Sequence, residues 1–196
     1  MTALTDPPAP PGRLRTAWRA AHAPADGVPR WARTAALAVP LVVLPSGIWR
    51  LPIAFGHEHG MGEIGGGERV YVVFLSIFSE LLAFTAVGLV ATWGERFPRW
   101  FPLVGGRNVP PMAAVVPGAL GAIVLTVLWT HAVVGQFMGI TLQGEPLPDN
   151  FPSKQGGWEA AFFYLCYAPL VLWGPLLGAV TYAYHRRRRA GRPRGR

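Results

Sequence analysis

Residues 70–92 read VYVVFLSIFSELLAFTAVGLVAT, an apolar run of 23 residues that carries a single acid, Glu80. At a rise of about 1.5 Å per residue, a helix of this length matches the thickness of the hydrocarbon core of a bilayer. The run therefore predicts a membrane-spanning helix. Its carboxyl lies near the middle, where an ionisable group is most costly and commonly faces protein or a water-filled cavity.

Three further apolar runs, residues 34–55, 112–138 and 158–184, predict three more spans. Prolines occur inside each of them, and membrane helices accommodate prolines when neighbouring groups satisfy the freed carbonyls. Composition agrees, because 51% of the 196 residues are hydrophobic and only 14% are charged, too few to cover a soluble domain. We therefore expect an all-α integral membrane four-helix bundle over residues 31–185.

Positive charge is concentrated on three segments of the chain. The segment through residue 33, the second loop and the C-terminal tail carry 15 of the 18 Lys and Arg residues. This bias predicts cytoplasmic N- and C-termini. Only Lys154 is a lysine, a preference typical of high-G+C bacterial genomes, so the expected location is a bacterial plasma membrane. The Pro-rich residues 1–30 are expected to form a disordered basic tail, and residues 186–196 a second basic tail.

The second loop contains a cluster of aromatic, proline, glycine and arginine residues. Its motifs are Trp93-Gly94-Glu95, Pro98-Arg99-Trp100, Gly105-Gly106-Arg107 and Val109-Pro110, followed by Ala113-Ala114-Val115-Val116-Pro117. This pattern resembles a W-G-E-x-x-P-R-W cytoplasmic loop of small four-span membrane proteins of actinobacteria. The resemblance implies a membrane location and a four-span architecture, and it implies no catalytic residue.

Polar side chains inside the spans indicate a binding site. Counted from the outer interface, Glu80 lies about 15 Å deep, His131 about 10 Å and Arg50 about 8 Å. These depths allow an outward-facing polar pocket around Glu80 and His131, with Arg50 and Ser76 as further ligand-binding residues. Alternatively, Glu80 donates a hydrogen bond to a carbonyl that a proline leaves free, and Arg50 snorkels outward to the interface.

Two classes of function remain open for that pocket. The first is a non-enzymatic accessory, sensing or transport component. The second is an intramembrane enzyme acting on a lipid or isoprenoid-like substrate, with Glu80 as general acid and His131 as its partner. The chain contains no GxSxG, Walker A or HExxH motif, and its one cysteine, Cys166, excludes an internal disulfide. We predict no cofactor.

A third, weaker hypothesis is an external metal site in the loop before the second span. His57, His59 and Met61 are reasonable ligands for copper or zinc. Their spacing matches no defined site, and a solvated Gly-rich loop accounts for them equally well.

Partners are expected at two further places. The consecutive Arg186, Arg187, Arg188 and Arg189 can bind anionic lipid headgroups, each contributing about 1 kcal/mol, or can serve only as a topology anchor. The spacing Gly174-x-x-x-Gly178 permits close helix contact, either within the chain or with a membrane protein partner or second copy. Nucleic acid is not an expected partner, because the basic residues flank apolar runs.

Overall fold

The computed structural model describes residues 25–55, 65–95 and 106–190, with the side chains of residues 53 and 54 left out. Within these ranges the α-helices are α1 (Arg30–Ala54), α2 (Gly66–Gly88), α3 (Pro111–Met138), α4 (Pro152–Gln155), α5 (Gly157–Tyr167) and α6 (Trp173–Ala190). Two 3-10 helices, Thr92–Glu95 and Ala168–Leu172, complete the regular structure there. No strand occurs in these ranges, and one antiparallel bridge joins Ile140 to Pro146.

Four helical segments are long and apolar enough to cross a membrane: Arg30–Pro52, Gly66–Gly88, Pro111–Met138 and Gly157–Ala190. The prediction of an all-helical chain with four candidate spans is confirmed. Only 11–33% of the most apolar window of each segment is buried inside the chain. Soluble monomers rarely expose apolar surface of this extent, so the four segments suggest a multi-pass membrane protein.

The observed helix limits differ from the expected ones for local reasons. Helix α2 begins at Gly66, because the Glu68 carboxylate accepts a hydrogen bond from the Gly65 N–H (3.3 Å) and favours a helix N-terminus. It ends at Gly88, where a Cβ would lie 2.7 Å from the Trp93 ring. The fourth span changes to a 3-10 helix over Ala168–Leu172, where Pro169 supplies no backbone donor.

Helices α1 and α6 lie at the centre of the arrangement. Helix α2 packs on α1, α3 packs on α6, and α1 packs on α6 and α5. The main core cluster joins Val39 and Val43 of α1 to Ala83 and Ala86 of α2, together with Leu170 and Trp173 of the fourth span. Helices α2 and α3 are not among the described pairs that pack extensively, so the four-helix arrangement is open between them.

Glycines bring α3 and α6 into close contact. A Cβ at Gly174 would lie 2.5 Å from the Thr126 backbone nitrogen and 2.8 Å from the Ala122 carbonyl oxygen, and one at Gly118 would lie 2.7 Å from Thr181 Oγ1. Gly178 also faces Ala122, with more space. The close contact expected from the Gly174-x-x-x-Gly178 spacing is therefore made within one chain.

One end of the helices gathers three segments that are distant in sequence. The Ala25 N–H donates to the Val90 carbonyl (2.9 Å), and the Val109 N–H donates to the Glu95 carbonyl (2.9 Å). Arg188 of α6 donates from Nη2 to the Val109 carbonyl at 2.9 Å. The segment before α1, the connection between α2 and α3, and the end of α6 therefore lie together. The loop of residues 139–156 lies at the opposite end.

Candidate functional site

A cavity of about 950 Å³ lies between α2 and α3, where these two helices do not pack on each other. The end of α1, helix α5 and the 3-10 helix Ala168–Leu172 contribute to its lining, as does the loop after α3. Its volume is within the range of about 300–1,000 Å³ that small-molecule sites occupy. We refer to it as the α2/α3 cavity.

The lining of the α2/α3 cavity is predominantly apolar. Ten of the 26 described residues that line it are aromatic, and most of the others are aliphatic. Three aromatic rings form a packed group: Trp49 meets Phe163 edge-on at 5.8 Å and Tyr167 at 5.3 Å, and Phe163 stacks on Tyr167 at 4.8 Å. Such contacts hold the rings in fixed orientations and give the cavity a defined wall.

Arg50 is the one positively charged residue among the described residues of this lining. Its Nε donates to the Ser46 carbonyl (3.0 Å) and its Nη2 donates to Ser46 Oγ (2.9 Å). The Ser46 hydroxyl donates in turn to the Val43 carbonyl (2.8 Å). The guanidinium therefore lies one turn back along α1, toward the middle of the helix. The expectation that Arg50 snorkels outward is wrong, because helical side chains lean toward the N-terminus and Ser46 offers two acceptors there.

The other polar groups of the cavity have different hydrogen-bonding states. Ser79 Oγ donates to the Ser76 carbonyl at 3.0 Å, and Gln136 Oε1 accepts a hydrogen bond from Ser153 at 2.9 Å. Trp129 Nε1 is buried and has no acceptor among the described residues. No Asp or Glu lines the cavity within the described ranges, and no carboxylate there pairs with Arg50. The cavity therefore presents hydrogen-bond donors and a positive charge.

The structure does not bring the four residues of the expected polar pocket together. Only Arg50 lines the α2/α3 cavity. Glu80 is half-buried, one turn from the buried Ser76 and Ala83, on the side of α2 away from the cavity-lining Leu82. The Ser76 hydroxyl donates to its own helix, at the Val72 carbonyl (2.8 Å).

His131 lies on the outer surface of α3. Its side chain is exposed and does not line the cavity, whereas Trp129, Ala132 and Gln136 of the same helix do. Neither Glu80 nor His131 therefore contributes to the lining of the cavity. Trp129 and Gln136 are two lining residues that were not predicted from the sequence. Their spacing of seven residues places them on one face of α3 and could have indicated the polar side of that helix.

The other predicted sites have different outcomes. His57, His59 and Met61 lie outside the described residues, as do residues 1–24 and 191–196. Within the described ranges no group of three or more His, Cys, Asp or Glu could hold a metal ion.

The four consecutive arginines differ in their surroundings. Arg186 and Arg189 are exposed, whereas Arg187 and Arg188 are folded against the protein. Arg187 forms an ion pair with Glu95. The guanidinium carbons of Arg187 and Arg188 lie 5.5 Å and 5.9 Å from the centroid of the Tyr184 ring. Two of the four side chains thus have partners within the protein.

Comparison with protein-family models, with curated proteins and with solved structures finds no match to this chain. The resemblance of the second loop to actinobacterial four-span proteins therefore stays an expectation.

Proposed function

We propose that this chain is a multi-pass protein of the bacterial plasma membrane that binds an amphiphilic ligand, without catalysis, in the α2/α3 cavity. The observation that carries the proposal is a cavity of about 950 Å³ with a largely apolar, aromatic lining and one cation. Such a lining suits a molecule that is mostly apolar and has one polar end. The proposed class of function is an accessory, sensing or transport component.

Both termini are assigned to the cytoplasm in this proposal. Of the 18 Lys and Arg residues, 15 lie in the segment through residue 33, the second loop and the C-terminal tail, and three lie elsewhere. The described parts of these three segments lie together at one end of the helices. The connection between α2 and α3 meets the end of α6 through Glu95 and Arg187, and through Val109 and Arg188. Arg50 and the loop of residues 139–156 then lie toward the external side.

The chemistry of the lining favours binding over proton transfer. Apart from Arg50, the ionisable groups among the described residues of the lining are the phenols of Tyr71, Tyr164 and Tyr167. Phenol and guanidinium groups hold a polar group through hydrogen bonds. The residues that would act as acid and base, Glu80 and His131, do not line the cavity.

Filling the cavity tests the proposal directly. Ala132 of α3 lines the cavity, and Ala132→Trp would occupy part of it. Val127→Trp is the matched control, because Val127 is on the same helix, is 64% exposed and does not line the cavity. The detergent-purified proteins would be incubated with single-chain amphiphiles, and the bound molecules counted by native mass spectrometry.

We expect the wild type and Val127→Trp to retain one bound amphiphile and Ala132→Trp to retain at least fivefold less. The thermal stability of both variants would be measured alongside, so that unfolding is distinguished from a filled site. Equal retention by the two folded variants, or no retention by the wild type, would contradict the proposed function.

A further inference from the structure

We infer that the ligand of the α2/α3 cavity is a single-chain amphiphile with an anionic carboxylate or phosphate head, and that Arg50 binds this head. The inference rests on the proposed function and specifies the class of ligand. Three observations support it: the orientation of Arg50, the charge of the cavity and the length of the apolar lining.

Ser46 holds the Arg50 guanidinium in a fixed orientation. Hydrogen bonds from Nε and Nη2 use two of its five N–H groups. Both N–H groups of Nη1 and the second of Nη2 donate to no described residue. These three N–H groups lie in the plane of the guanidinium, in an arrangement that matches two oxygens of a carboxylate or phosphate. The side chain is therefore prepared for an oxyanion before a ligand binds.

Charge balance also favours an anion at this place. An arginine inside a membrane-spanning segment is costly, and such residues pair with an opposite charge, with backbone carbonyls or with water. Arg50 has hydrogen bonds to Ser46, which supply no negative charge. Within the described ranges no carboxylate lines the cavity. An anionic head on the ligand would supply the missing charge.

The rest of the lining suits an apolar chain. Along α2 the cavity extends from Tyr71 to Leu82, a distance of about 16 Å at about 1.5 Å per residue. The end near the loop after α3 carries the polar Thr141 and Gln143, whereas Leu82 and Leu125 line the other end. An elongated ligand therefore has a polar end and an apolar end available to it.

The test compares ligands that differ only in the head. Hexadecanoate, hexadecyl phosphate and the neutral hexadecanol would be titrated into the full-length protein in lipid nanodiscs, with inorganic phosphate as the arm without a chain. For the wild type we expect both anionic amphiphiles to bind at least tenfold more tightly than hexadecanol. Inorganic phosphate alone is expected to bind at least a hundredfold more weakly than hexadecyl phosphate.

Variants of Arg50 separate the head from the cavity. Arg50→Gln is expected to reduce the affinity for both anionic amphiphiles at least tenfold and to leave hexadecanol within about twofold, a pattern that general unfolding would not produce. Arg50→Lys keeps the charge without the planar guanidinium, and its affinity for the anionic amphiphiles is expected to lie between those of the wild type and Arg50→Gln. Arg189→Gln, on an exposed residue at the opposite end of the helices, is the control and should match the wild type.

The outcomes distinguish this inference from the function on which it rests. If no amphiphile binds the wild type, the proposed function fails. If hexadecanol binds as tightly as the anionic amphiphiles, or if Arg50→Gln keeps the preference for them, the cavity binds amphiphiles without selecting the head through Arg50. The inference that the ligand has an anionic head bound by Arg50 is then overturned. If inorganic phosphate binds as tightly as hexadecyl phosphate, the inference that the ligand carries an apolar chain is overturned.

Discussion

Arg187 and Glu95 form an ion pair in which Nη2 and Oε1 are 2.7 Å apart, joining the end of α6 to the connection between α2 and α3. The two side chains are only 12% and 24% exposed. Arg187 also donates to the backbone carbonyls of Asp26 (3.3 Å) and Leu89 (3.4 Å). One guanidinium thus connects α6 to the segment before α1 and to the end of α2.

We predict that Arg187→Gln lowers the free energy of unfolding by about 1–3 kcal/mol, because hydrogen bonds to charged groups contribute this much and three partners are lost. Arg189→Gln removes the same charge from an exposed position and should cost less than about 0.5 kcal/mol. Thermal unfolding of the purified proteins in one detergent checks the difference. Equal midpoints for the two variants would show that the ion pair does not stabilise the fold.

The interface of α3 and α6 provides a prediction with a matched control in the same helix. Gly174→Ala should destabilise the protein by about 1–3 kcal/mol, since its Cβ would lie 2.5 Å from the Thr126 nitrogen, which is backbone and cannot move aside. Gly178→Ala should be tolerated, because its Cβ would lie 3.5 Å from the Ala122 Cβ. Thermal unfolding of the two variants checks this order, and a less stable Gly178→Ala would contradict it.

The spans were predictable from the sequence because bilayer thickness sets the length of an apolar run. The rotation of each helix about its own axis was not predictable from the sequence. In a soluble helix an apolar stripe marks the buried face, whereas here lipid-facing and protein-facing sides are both apolar. For that reason the residue numbers of Glu80 and His131 predicted a shared pocket, while their directions, away from the cavity, depend on the packing of α2 on α1 and of α3 on α6.

Local rules account for two features that sequence analysis interpreted differently. Helical side chains lean toward the N-terminus, so Ser46 four residues before Arg50 is a natural acceptor for its guanidinium. Helix α6 continues to Ala190 because arginines in the last turn interact favourably with the helix dipole. The carboxylate that pairs with Arg187 lies about 90 residues earlier in the chain, and only the fold brings the two together.

The proposed orientation predicts which positions a membrane-impermeant maleimide reaches in intact cells. Cys166, the chain's one cysteine, is buried, so background labelling should be low. Asp149→Cys, in the exposed loop after α3, should be labelled in intact cells. Asp26→Cys and Ala190→Cys, both at exposed positions, should be labelled only after permeabilisation. Labelling of position 26 or 190 in intact cells would contradict cytoplasmic termini.

The last prediction concerns the two residues that the sequence alone favoured as the site. Glu80→Gln and His131→Ala should each leave the affinity for hexadecanoate within about twofold of the wild type, because neither residue lines the α2/α3 cavity. Ser79→Trp, one residue from Glu80 but on the cavity lining, should lower that affinity at least fivefold by occupying the space. If instead Glu80→Gln abolishes binding while a folded Ser79→Trp retains it, the ligand lies on the other side of α2. The polar pocket expected from residue depth would then replace the cavity as the site.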